Sequence, residues 1–238
     1  MIFLRALFVL FTTVPVGCGA NNALEPYADL NKEQEARKAL DAKDWDAAIL
    51  LYEDLKTEEP ERFDLYTLHA TCLAGSAGIA ILDVLLDQIA SAASGATGGG
   101  VLGLVSSLVP EGATSEDTNS LNSAIELLDE VPDSALDDDS ELSAAILLQL
   151  TLYSSIHAAM VMDQVLGIDA NGTPDPAALE DMTPAEAASV IDALLQAGSV
   201  GDPDSPLTQA MAEAAAEINA AEGATTQEKL ENFLNAAE

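Results

Sequence analysis

Apolar residues recur at helical spacing along most of this chain. Asn31 opens a first helix, with Gln34 three residues on in the manner of a capping box, and Ala36, Ala39 and Leu40 face inward before it ends near Ala42. Asp44 caps a second helix, in which Trp45, Ala48, Ile49, Tyr52 and Leu55 follow i, i+3, i+4, i+7 spacing until Pro60 disfavours helical geometry at Glu59. A further hairpin runs from Tyr66 through Ile89. Its second half sets Ile79, Leu82, Leu85, Leu86 and Ile89 on one face against Asp83 and Asp87 on the other.

The glycine cluster from Ser94 to Gly100 reads as a connector, and because no Lys-Ser/Thr pair follows it, it is not a phosphate-binding loop. Val101 to Val109 belongs to that connector or forms an apolar element touching a membrane or a second subunit. Beyond it, Leu121, Ala124, Ile125 and Leu128 mark a short helix. Pro132 and Asp137 to Asp139 separate it from the longest helix, about Ser140 to Leu166. Between Ala144 and Met162 that helix has no formal charge, yet Gln149, Thr151, Ser154, Ser155 and His157 interrupt it. The pattern predicts a central core helix rather than a membrane span. Thr183-Pro184-Ala185-Glu186, Ser205-Pro206 and Thr225 to Glu228 open three more helices, the last with Leu230, Phe233 and Leu234 inward.

Composition sharpens this picture. Hydrophobic residues make up 49% of the 238 but aromatics only 4%, so the core must be built from Ala, Leu, Ile and Val, which favours helix over sheet. The net charge is -33. The cations Lys32, Arg37, Lys38, Lys43, Lys56 and Arg62 crowd one early segment, and none occurs from Phe63 to Glu228. Carboxylates there must face water or external cations. Such a surface repels nucleic acid, which is excluded as a partner.

The second helix resembles that of a tetratricopeptide repeat. Ala48 matches the small residue that permits close packing, Tyr52 the aromatic four residues later, and Pro60 the terminating proline; Ala36 matches the small residue of the first helix. Glu35 and Ala39 replace a large apolar and an aromatic residue, and in the next hairpin only Tyr66 and Ala70 fall in register. The resemblance covers about 60 residues. It implies antiparallel helix pairs serving as a binding scaffold, with Trp45, Tyr52 and Tyr66 as a candidate partner-binding surface.

The first residues carry one cation, Arg5, then an apolar run shorter than the roughly 20 residues a span needs, then Val14, Pro15, Val16, Gly17 and Cys18. This resembles a bacterial lipoprotein signal, although Pro15 stands where that family has an aliphatic residue. The resemblance implies acylation of Cys18 and, with Gly19 rather than an acidic residue following, an outer-membrane location. The same residues also fit an ordinary secretory signal cut near Gly17 or Ala20.

Candidate chemistry is sparse. His69 and His157 both sit in apolar helices with no nucleophile or base placed beside them by a motif, and one spare cysteine, Cys72, sits among Leu68, Leu73 and Ala74. No catalytic residue or closed metal site is expected. The loop Asp169-Ala170-Asn171-Gly172-Thr173-Pro174-Asp175 has the oxygen ligands calcium uses at Asp169, Asn171 and Asp175. Pro174, however, takes the glycine position of an EF-hand register, and Asn-Gly is ordinary turn chemistry.

The expectation is therefore an all-α chain. It comprises a leader over 1–17, a tether over 18–30, tetratricopeptide-like pairs over 31–94, a connector over 95–119 and a helical bundle over 120–238. Its expected role is that of a non-catalytic scaffold or adaptor, anchored to the membrane by lipid, that meets another envelope protein and is able to self-associate. The alternative is a transport-associated lipoprotein, resembling the tetratricopeptide-type (TRAP-type) accessory components of uptake systems, that binds an apolar ligand or a solute-binding protein. Screening should matter to so acidic a surface: between about 0.1 M and 1 M salt the Debye length falls from about 10 to 3 Å. The acidity then reads as an adaptation to salty surroundings ahead of a device for a cationic partner, and thermal unfolding in NaCl is expected to move to higher temperature over that range; a midpoint indifferent to salt contradicts the adaptation.

Overall fold

A computed structural model describes residues 31–79, 108–110, 112–136, 140–169 and 172–237. The described chain is all-α, with no strand among these residues. Its helices are α1 (Lys32–Asp41), α2 (Trp45–Glu58), α3 (Phe63–Ser76), α4 (Ser115–Asp129), α5 (Asp133–Leu136), α6 (Glu141–Leu166), α7 (Pro176–Asp181), α8 (Pro184–Ala197), α9 (Pro206–Ala220) and α10 (Thr226–Ala237). The expected helix over 79–89, apart from Ile79, and the apolar stretch 101–107 lie outside the described residues. So do the leader, Cys18 and the tether.

Local chemistry sets most helix starts. Thr114, Ser140, Asp175, Thr183 and Ser205 each hold an extended backbone, with ψ between 119° and 168°, and each side chain accepts a backbone N–H of the first turn. Thr183 with Glu186 closes a reciprocal capping box, and Thr114 with Asp117 forms a second one. That second box starts α4 at Ser115, inside the stretch expected as connector. Asp44, expected to cap α2, makes no such bond: its ψ of 77° turns the carboxylate away from the first-turn amides.

Ion pairs show the directions of the first helices. Lys32 at the start of α1 pairs with Glu58 and Asp54 at the end of α2, and Arg62, just before α3, reaches Glu33 of α1 at 3.2 Å. Helices α1 and α2 are therefore antiparallel, and α3 begins beside the first turn of α1. Ala36, Ala48, Tyr52, Leu55, Leu65 and Cys72 close a small core between these three. Helix α3 also packs on α4 and α6, so its other side, through Tyr66, Ala70 and Ala74, joins the main core.

That main core surrounds α6, which touches α3, α4, α5, α7, α8 and α9. By length and composition α6 could cross a membrane, but 67% of its most apolar window is buried inside the fold. Ser154, Ser155, Ala158 and Ala159 are all but fully enclosed, and such small side chains let neighbouring helices approach. Their polar atoms stay satisfied within the helix: Thr151, Ser154 and Ser155 donate to carbonyls one turn back at 2.8, 2.6 and 2.7 Å.

Among the described residues no carboxylate is buried, as a chain without nearby cations requires. Several carboxylates instead serve helix N-termini, where Asp117, Asp175, Glu186 and Glu228 accept backbone N–H groups and favour the positive end of the dipole.

The turn after α8 closes onto α6 at Gly201. Its φ is +81°, and the amide of Asp202 donates to Thr151 Oγ1 at 2.8 Å. A Cβ at Gly201 would lie 2.3 Å from that hydroxyl and 2.7 Å from the Thr151 backbone nitrogen. Gly201→Ala is thus both strained and overpacked. It should lower stability by roughly 1–3 kcal/mol, read as a lower urea midpoint with an unchanged slope.

Candidate functional site

The three aromatics expected on a binding surface do not form one. Tyr52 is 0% exposed and Tyr66 8%. Tyr52 stands on the inward stripe of α2 with Ala48 and Leu55, where burial pushes its phenol up to about 12. Tyr66 donates to the Pro60 carbonyl at 3.3 Å and packs its ring 5.8 Å from that of Phe63. Helical periodicity places Tyr52 and Tyr66 on apolar faces, but those faces meet the small and the main core. Trp45 alone is half-exposed; its ring lies over Gly75 of α3, where a Cβ would come within 2.7 Å of it. The large apolar side chain that α2 does present to solvent is Leu50, 65% exposed.

Tyr66 lies at the junction between the first helices and the bundle. Lys56, near the end of α2, reaches Glu130 just after α4 at 3.2 Å and sits 5.1 Å above the Tyr66 ring. Among the described residues this is the ion pair joining α1–α3 to the rest. A half-shielded Lys combining carboxylate and aromatic face is a stronger tie than an exposed surface pair. No sequence motif marks Lys56, because its partner is 74 residues away.

His69 lies in α3 near this junction and is 7% exposed. Burial, then the Lys56 charge, depress its imidazole to about 4, against a smaller opposing pull from Glu130. His157, on α6, is also lowered by burial, with Glu126 opposing. Both rings are neutral near pH 7, each with a buried Nδ1 that bonds nothing. They lie on different helices, α3 and α6. Cys72 is wholly enclosed and pushed up to about 12 by burial, so it is a protonated thiol without nucleophilic character.

The acidic loop after α6 uses its carboxylates on its own backbone. Asp169 accepts from the amide of Thr173 at 2.9 Å, and Asp175 caps α7 through the amide of Ala177 at 2.9 Å. Asn171, the third candidate calcium ligand, lies outside the described residues, and these contain no group of three or more ligands placed to hold a metal. An open depression of about 520 Å³ between α9 and α10 has Ala220, Ala221 and Phe233 as apolar walls and Glu217 and Glu222 beside them.

Four further polar residues were visible in the sequence only as breaks in apolar patterns. Gln149 Nε2 donates to Thr71 Oγ1 at 3.1 Å, joining α6 to α3, and Gln164 Nε2 donates to Thr118 Oγ1 at 2.7 Å, joining α6 to α4. With the geometry in hand, comparison with known proteins adds no relative: no protein-family profile, curated protein or solved structure matches the chain.

The depressed His69 sets a pH dependence. In the folded protein it stays neutral down to about pH 4, whereas in the unfolded chain it takes a proton near 6.5. Its contribution is present above pH 6.5 and is lost as the pH falls towards 4, a total of about 3 kcal/mol at 1.36 kcal/mol per unit. Acid also relieves the repulsion among carboxylates, so the comparison must be with a variant. His69→Asn should lose about 3 kcal/mol less than the parent between pH 7 and pH 4, measured by urea unfolding at both; parallel losses refute a neutral, buried His69.

Proposed function

We propose that the chain is an envelope lipoprotein, acylated at Cys18 and held at the outer membrane, that acts as a non-catalytic helical scaffold for another envelope protein. The observation that carries this reading is the serial packing of α1, α2 and α3. Ala36, Ala48 and Tyr52, the positions that match the tetratricopeptide pattern, are each 0% exposed, and α1 and α2 are antiparallel. Arrays of that kind serve by shape, because each helix pair buries one side and offers the other.

The offered side differs from the expected one. With Tyr52 and Tyr66 committed to the interior, the surface available on α2 is Leu50, flanked by the exposed Asp46, Glu53 and Asp54. An apolar point ringed by carboxylates suits a partner with an apolar pocket and basic rim.

Two linked experiments test the reading. Cys18→Ser should release the protein from the membrane fraction and remove the acyl mass from the mature N-terminus. A photocrosslinker at Leu50 should give a discrete adduct in native envelopes, reduced at least tenfold by Asp46→Lys with Asp54→Lys. An unmodified N-terminus refutes the anchor, and labelling no different from a site on α9 refutes the surface. Capture of a solute-binding protein favours the transport-associated alternative.

A further inference from the structure

Gln149, Tyr153 and His157 stand at i, i+4 and i+8 on α6 and therefore share one face of it. Each carries a buried polar atom that makes no well-aligned hydrogen bond within the protein: Gln149 Oε1, Tyr153 OH and His157 Nδ1. Tyr153 is wholly enclosed. The face they occupy is turned towards α3 and α4. Gln149 Nε2 donates to Thr71 Oγ1 and, at 3.5 Å, to the Thr67 carbonyl. Thr71 Oγ1 also lies within hydrogen-bonding reach of the Tyr153 phenol; its own proton goes to the Thr67 carbonyl at 2.8 Å, so it can only accept there, and the phenol oxygen's lone pairs stay open. The nearby charge that acts on His157 is that of Glu126 on α4.

At the middle of α6 the buried hydroxyls of Thr151, Ser154 and Ser155 fold back onto their own helix, and that of Ser143 near its start donates to the Leu136 carbonyl at 2.7 Å. Gln, Tyr and His reach outward and cannot do so. Successive members of the stripe are displaced by about 6 Å along the axis, beyond a direct hydrogen bond of 2.7–3.2 Å. Water, which makes about three bonds to buried polar groups, can serve each of them without a direct contact along the stripe. Charge narrows the ligand further. Helices α3, α4 and α6 contain no Lys or Arg to hold an anion, and the Glu126 carboxylate already accepts from Asn122 Nδ2 at 2.7 Å. Gln149 Oε1 needs a donor, whereas the Tyr153 hydroxyl can donate or accept. A neutral molecule that does both is required.

We propose that the seam between α6 and the α3/α4 pair binds a file of ordered water molecules, held by Gln149 Oε1, Tyr153 OH and His157 Nδ1 with Thr71 Oγ1 beside them. Internal waters of this kind make about three bonds to buried polar groups and belong to the fold. The site does not depend on what the scaffold binds.

Water–protein cross-relaxation in the rotating frame tests this on the full-length chain. Long-lived water contacts are expected at the ring protons of Tyr153 and the methyl of Thr71, and they should disappear at Thr71 in Tyr153→Phe. The same variant and Gln149→Leu should each lower the thermal midpoint by roughly 2–4 °C, because a bridged group has been removed. A wild-type spectrum without these contacts overturns the proposal whatever the variants' stabilities. A Tyr153→Phe protein that melts higher than its parent does so equally, since removal of a dry, unpartnered hydroxyl is stabilising.

Discussion

The enclosure of α6 is the constraint on which the rest of the structure depends. A helix of 26 residues without formal charge from Ala144 to Met162 cannot stand in water, and six other helices exist as its walls. Small residues at its middle set how near those walls come. Gly201 shows how little slack remains, since its turn lies against the Thr151 backbone. Even α3, which closes the small core with α1 and α2, spends its other side on α6 and α4. The first two helices and the bundle are joined through that shared helix.

Electrostatics follow the same division. From Phe63 onward the chain lacks cations until Lys229, so apart from Asp64 and Glu130, which pair with Arg62 and Lys56, acidic groups have two acceptable places, open water and the amide-rich starts of helices. The described carboxylates occupy both. Inside, polarity is carried by neutral groups: hydroxyls bonded to their own helix, two neutral imidazoles and the Gln149–Tyr153–His157 stripe. A core of this kind keeps its charge state through neutral pH and becomes vulnerable only when acid reaches the imidazoles.

What was legible in the sequence was chemistry acting within a few residues. Thr183-Pro184 with Glu186, Ser140 and Ser205-Pro206 declare helix starts because capping uses neighbours in the chain. The Thr114 start is harder to read, since Asp117 replaces the usual Glu and the stretch around it is acidic and loop-like. The all-α class and the core role of α6 were readable from periodicity and missing charge. Periodicity also put Tyr52 and Tyr66 on an apolar face, but it does not distinguish a face that meets the core from one that meets a partner. Lys56 and Glu130, far apart in sequence, carry no local signal at all. The α6 stripe shows the same limit: its i, i+4, i+8 spacing was present, while the helices it faces are set by tertiary packing.

The six cations of α1, α2 and the turns beside them stand among ten carboxylates, so residues 32–62 still carry a net charge of -4. What sets this end apart is pairing rather than sign: Lys32, Arg37, Lys56 and Arg62 each hold a carboxylate, whereas the carboxylates of α4 to α9 have no Lys or Arg within their own helices. Added salt therefore acts on the two ends in opposite senses, loosening the ion pairs of the first helices while relieving repulsion across the bundle.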